Sequence, residues 1–160
     1  MIKEKIINKF GKDILHNSCI WYKEGEKNLR SLLERLKLDN VLEIGTAYGL
    51  SGAIISEYCN HVYTYDIHDF KQKYEVWEFL GLKNIGFDRK LNLDRKYDLA
   101  FIDGWHWNGQ CEKDFKKCKD IHLILFHDYN YVHKEVMLFI DTLKGNKVIK
   151  GNFVLYENKQ

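Results

Sequence analysis

Proline is absent from this 160-residue chain, and no apolar run approaches the roughly 20 residues that a membrane-crossing helix needs. A helical membrane span is therefore excluded. The start, Met1-Ile2-Lys3-Glu4-Lys5, mixes acid with base and lacks the apolar core of a signal peptide. The four cysteines, Cys19, Cys59, Cys111 and Cys118, include no CxxC pair. Cys111 and Cys118 are spaced to share a helix face with Phe115, which points to packing. A reduced cytoplasmic protein is the expectation. Charge of one sign is also lacking: a net +2 argues neither for nor against nucleic acid. No repeat, low-complexity stretch or linker divides the chain, so a single domain with an ordinary globular core is expected.

What the chain does have is the stretch Val41-Leu42-Glu43-Ile44-Gly45-Thr46-Ala47-Tyr48-Gly49-Leu50-Ser51. A short apolar run with one acid ends in a glycine-punctuated turn and opens into the helical pattern Ala53, Ile54, Ile55, Tyr58. Gly45 and Gly49 let the backbone turn sharply and approach a ligand with no Cβ in the way. The N–H groups at the next helix start favour an anionic or polar ligand group. Glu43 is placed to receive a cationic or hydroxylated one.

Ahead of this stretch, Ile6, Ile7, Phe10 and Ile14 predict a helix over 1–17, in which Gly11 is an unfavourable residue. Leu29, Leu32, Leu33 and Leu36 predict a second over 26–37, with a loop from Asn17 to Gly25 between them. These helices form a cap over 1–39 that could cover a ligand or pair two subunits into a homo-oligomer. From 40 to 160, strands alternate with helices, which implies a mostly parallel sheet. Strands are expected at 41–44, 61–65, 84–87, 98–102 and 121–126. A hairpin at 147–149 and 153–156 places the last strand antiparallel to the rest. Only a polar link joins the third and fourth strands, so one crossover helix is missing.

Four of these strands end in acids: Glu43, Asp66, Asp103 and Asp128. In an open parallel sheet, ligands bind outside the carboxyl ends of the strands. Like charges gathered there repel unless a cation or a hydroxyl-rich ligand meets them. Asp66 follows the glycine loop at the distance where an acid takes ribose hydroxyls. A dinucleotide loop wants GxGxxG, however, and here an acid stands two residues before the first glycine. That position suits an ammonium group and opposes a pyrophosphate.

The chain resembles the class I S-adenosylmethionine-dependent methyltransferases. More narrowly, it is similar to a small family carrying "IDG-x-H" and "HD" signatures, methyltransferase family 24 type, related to metal-dependent O-methyltransferases. The matching stretches are the glycine loop, Val62-Tyr63-Thr64-Tyr65-Asp66, Phe101-Ile102-Asp103-Gly104-Trp105-His106 and Phe126-His127-Asp128. The resemblance implies a three-layer, doubly wound, seven-stranded Rossmann-like α/β fold. It implies that Gly45, Thr46, Ala47, Gly49 and Ser51 line the methionine end of the cofactor, with Glu43 reaching its amino group. Asp66 would hold the ribose, Ile67 would lie against the adenine, and Asp103 would border the cofactor. Asp103 and Asp128 match positions that bind a divalent cation, and carboxylates suit Mg²⁺. His106 or His127 would take the proton of a small-molecule or sugar hydroxyl acceptor, with Asp103 beside them.

The chain departs from its relatives at Trp105, where some carry the acid proposed as base, and at His127, often a second acid. Asp88 reads as a surface acid beside the adenine region. Without proline, the signatures of amino-nucleobase and cytosine-C5 methyltransferases cannot exist. Three rival readings remain open: an inactive cofactor-binding module or subunit, an RNA methyltransferase, against which the near-neutral charge speaks, and a dinucleotide-dependent oxidoreductase.

Overall fold

A computed structural model describes residues 1–16 and 18–158. Asn17, at the start of the expected loop, lies outside the described residues, as do Lys159 and Gln160.

Helix α1 (Ile2–Phe10) stops at Gly11, whose φ of 82° leaves helical space, and a 3₁₀ turn (Lys12–Leu15) replaces the rest of the expected helix. Helix α2 (Gly25–Leu33) follows, and then β1 (Leu38–Ile44), α3 (Leu50–Ile55), β2 (Cys59–Tyr65), α4 (Gln72–Leu80) and β3 (Ile85–Asp88). A helix-free link leads to β4 (Leu99–Ile102), α5 (Gln110–Lys117), β5 (Leu123–Phe126), α6 (Lys134–Thr142), β6 (Asn146–Lys150) and β7 (Phe153–Glu157). The seven strands are ordered β3-β2-β1-β4-β5-β7-β6. The first five are parallel, and β7 runs antiparallel between β5 and β6.

Alternation along the strands sorts the side chains into two cores. Val41, Val62, Leu99, Phe101, Leu125 and Phe153 face the layer of α1 to α4. Leu42, Ile44, Ala100, Ile102, Ile124, Phe126 and Val154 face α5 and α6, where Cys111 and Cys118 pack as expected. Because the link between β3 and β4 carries no helix, the β2 face on the α5–α6 side is covered only by that link. A cavity of about 240 Å³ opens there, bordered by His61, Tyr63, Arg95 and Tyr97.

The N-terminal layer is tied down by a buried acid. Glu26 accepts from the Ile2 and Lys3 amides at 2.9 Å each and from Arg30 Nε at 2.9 Å. These bonds satisfy the orphan amides of the first turn of α1. Glu26→Ala would leave three donors without their acceptor. It is expected to cost about 1.5–3 kcal/mol in urea unfolding, with faster amide hydrogen exchange over residues 2–15.

Candidate active site

The site grows from the carboxyl ends of β1, β2, β4 and β5. Hydrogen bonding continues past the strands there: Gly45 N donates to Tyr65 O at 2.8 Å, Asp103 N to Ile44 O at 2.8 Å and His127 N to Ile102 O at 3.2 Å. The post-strand loops are thereby stitched side by side. Gly45 has φ 101°, and a Cβ on it would stand 2.2 Å from Asp103 O. No other residue fits. The opposite end of the loop is closed by Trp77, whose Nε1 donates to Gly49 O at 3.0 Å.

The expected cofactor residues gather around this loop. Asp66 Oδ2 accepts from Ala47 N at 3.0 Å and Oδ1 from His68 N at 2.9 Å, so one carboxylate ties the loop to the end of β2. Ile67 beside it is exposed, and Thr46 Oγ1 is buried with no partner among the described residues. Glu43 is fully buried on the α3 side of β1, where Ser51 Oγ donates to its Oε1 at 2.5 Å. Its Oε2 packs against Gly52, where a Cβ would approach to 2.8 Å. Burial pushes the Glu43 carboxyl up to about 8, an effect that the Ser51 bond offsets in part. Asp88 is exposed at the end of β3 and caps its own turn by accepting from Lys90 N at 2.9 Å.

The acids at the ends of β4 and β5 meet three imidazoles. His127 Nδ1 lies 2.8 Å from Asp103 Oδ1 and 3.0 Å from Asp128 Oδ2. Its side chain is 5% exposed. Burial works against its charge, but the two carboxylates outweigh that and push its pKa up to about 10. The same two carboxylates favour the charged form of the ring, whose Nε2 is buried with no partner among the described residues. His106 Nε2 sits 2.8 Å from Asp128 Oδ2, and His133 Nε2 sits 3.6 Å from Asp128 Oδ1. Burial alone would lower His106, yet Asp128 raises it overall. Burial lowers His133. Asp128 has φ 62°, a left-handed conformation that is costly for a residue other than glycine. Burial resists its ionisation, while His106 and His127 hold it far below the usual carboxylate range.

Two participants escaped the sequence reading. His133 looked ordinary, five residues past Asp128. Asn130 Oδ1 accepts from Val132 N and His133 N at 2.9 and 3.0 Å, and this turn brings the ring back. The asparagine was the only signal. Lys73 is fully buried, its ammonium bonded to Asp69 and to Phe70 O and set 3.7 Å over the Phe87 ring centroid. It braces the segment after Asp66 and abuts Gly49. The exposed Trp105 and Trp107 flank His106 in sequence, and the Trp107 and His133 rings lie 5.8 Å apart.

A glycine cradle sealed against the β4 loop, with a ribose-type acid hydrogen-bonded into it, fits S-adenosylmethionine. A family profile described as lysine methyltransferase matches residues 1–160. The chain belongs to the lysine methyltransferase family. It is an S-adenosylmethionine-dependent methyltransferase with the Rossmann-like fold of that class. Solved structures agree on the fold. The methyltransferase PaMTH1 of Podospora anserina, bound to S-adenosylhomocysteine, superposes with TM-score 0.68 at 12% identity, over 99% of this chain and 86% of that one. The N-methyltransferase NodS of Bradyrhizobium japonicum, with the same ligand, gives 0.65 at 11%, over 99% of both chains. A tRNA (m1A58) methyltransferase of Aquifex aeolicus gives 0.65 at 16%, over 100% of this chain and 76% of that one. Among curated proteins, none matches.

Two outcomes follow for the methyltransferase. Gly45→Ala, strained in φ and driven into Asp103, is expected to lose about 1–3 kcal/mol in urea unfolding and to lose S-adenosylhomocysteine binding in calorimetry. Glu43 carries a sign that can be checked. The folded state holds its proton up to about pH 8, while the unfolded chain releases it near 4.5. Its stabilisation is therefore complete below 4.5 and declines as pH rises to about 8, by at most about 1.4 kcal/mol per unit. Glu43→Gln should gain stability relative to wild type across that window, read from urea midpoints at pH 5, 7 and 8.5.

Proposed function

We propose that this methyltransferase moves the methyl group of S-adenosylmethionine to a hydroxyl of a small molecule or sugar. The observation that carries this reading is the position of Asp103. Its backbone abuts the glycine loop while its carboxylate joins the buried acid–imidazole cluster. When bound, the cofactor supplies an electrophilic methyl on a sulfonium, and the sulfur keeps the bonding pair as the methyl leaves. Asp103 Oδ2, which no hydrogen bond engages among the described residues, accepts the acceptor hydroxyl and takes its proton as oxygen bonds to the methyl carbon. His127 Nδ1, 2.8 Å from Asp103 Oδ1, orients that carboxylate. The loop residues Gly45, Thr46, Ala47 and Gly49 hold the methionine end, Asp66 the ribose hydroxyls and Ile67 the adenine. Glu43 acts from behind the loop through Ser51.

Mg²⁺ fits this donor set poorly. The His127 ring, a nitrogen donor, already stands between the Asp103–Asp128 pair that would hold the ion, and no step is routed through Mg²⁺. A second reading, methylation of a lysine amine, is favoured by the full-length match to the lysine methyltransferase profile.

The test uses cofactor labelled in its methyl group, offered with hydroxylated aromatic and sugar acceptors, with lysine peptides and with RNA. Label in a hydroxylated acceptor supports the proposal. Label only in a peptide or RNA replaces it, and binding without transfer to any acceptor leaves a cofactor-binding module. Asp66→Ala is expected to weaken S-adenosylhomocysteine binding by at least about tenfold, since a charged acceptor of hydrogen bonds is removed. Asp103→Asn should lower kcat by about 10²–10⁴ with that binding unchanged.

A further inference from the structure

We propose that His106, Asp128 and His133 form a site for a first-row transition ion of the Zn²⁺ or Co²⁺ type, distinct from an Mg²⁺ site on Asp103 and Asp128. One ligand atom from each of the three residues lies within 4.8 Å of the others. His106 Nε2 is 2.8 Å from Asp128 Oδ2, and His133 Nε2 is 3.6 Å from Asp128 Oδ1. Bonds of about 2.0–2.1 Å to a tetrahedral ion place neighbouring donors about 3.4 Å apart, inside the 4.8 Å span that holds one donor atom of each residue.

The donor set decides the class of metal. Two imidazoles with one carboxylate suit Zn²⁺, Co²⁺ or Ni²⁺, whereas Mg²⁺ prefers oxygen donors and keeps its waters. The surroundings are those of a supported site. His127 bonds Asp128 Oδ2 from behind at 3.0 Å and so orients the ligating carboxylate. Asn130 fixes the His133 backbone through two amide bonds. Asp128 keeps its left-handed backbone, with φ 62°, facing both rings. The His106 and His133 ring centroids are 4.6 Å apart and the rings are tilted by 58°, an arrangement that converges on one point better than stacking would.

Three protein donors leave a coordination position open, as in catalytic zinc centres. An acceptor oxygen could fill that position. This use rests on the hydroxyl reading, but binding of the ion does not, because it is measured with no acceptor present.

The experiment strips the full chain with chelator and titrates it with Co²⁺, following the visible absorption. Zn²⁺ then competes, and Mg²⁺ runs in parallel. The expected result is one tight equivalent of Co²⁺ with intensified bands, displaced by Zn²⁺ and untouched by Mg²⁺. His106→Ala and His133→Ala should each weaken binding by at least about tenfold, while His122→Ala should not. His133→Gln replaces His133→Ala if circular dichroism finds the latter unfolded. Absence of binding by the folded wild type would overturn the proposal, as would undiminished binding by the His133 variant. Loss in Asp103→Asn but not in the His133 variant would place the ion on Asp103, His127 and Asp128 and would equally overturn it.

Discussion

Two carboxylates, Asp103 and Asp128, are brought side by side at the ends of adjacent parallel strands, and one buried imidazole stands between them within hydrogen-bond reach of both. The sheet leaves them little choice. Ile102 pairs with Phe126, so the residues that follow emerge together at the same edge. Two like charges in a site this enclosed would push one of the pair to take up a proton. His127 counters this repulsion by sitting 2.8 and 3.0 Å from the two acids, whose charges raise its own pKa. The cost of burying the ring's charge is offset only while both partners remain. A buried charge of this kind makes the arrangement specific rather than especially stable.

The other constraint is steric. Gly45 meets the Asp103 backbone so closely that a single Cβ would overlap a carbonyl oxygen. The cofactor loop and the charged cluster therefore cannot be positioned independently, because moving one displaces the other. Ala47 and Asp66 extend the same locking to β2, and Trp77 and Lys73 extend it to α4. On the loop side each of these contacts is made by backbone, while Asp66, Trp77 and Lys73 meet it with side chains. The fold itself is shared with structures at 11–16% identity.

Much of this could be read from the residues. Apolar runs ending in acids announced the sheet edge, and the glycine pair announced the turn between β1 and α3. The polar link announced the missing helix between β3 and β4. Element ends were less legible. The first helix breaks at Gly11 because the positive φ there outweighs the apolar period, and β1 begins three residues early because Leu38 and Asn40 pair with Cys59 and His61 of β2. Side-chain partnerships were the least legible. That Glu43 points behind the loop follows from strand alternation, but that it is wholly enclosed depends on Gly52 across the layer. The part played by His133 depends on a left-handed aspartate and an asparagine turn, and neither leaves a periodic trace.

The division between a backbone-made half and a side-chain-made half explains why the fold does not name the acceptor. Around the glycine loop, the chain is largely buried and its ends are tied by Asp66 and Trp77, with Thr46 Oγ1 and Glu43 Oε2 left without a partner among the described residues. Around the charged cluster, Trp105 is 65% exposed and Tyr131 89% exposed, on segments that follow β4 and β5. Large aromatic side chains left in water beside a buried charge centre form a surface with apolar area still to be covered. Under the reading proposed above, an acceptor that covers them would also present a group with a removable proton to Asp103. Those two demands would describe the acceptor more narrowly than the shared fold does. They also place the choice of substrate in the loops that the sheet leaves free to vary.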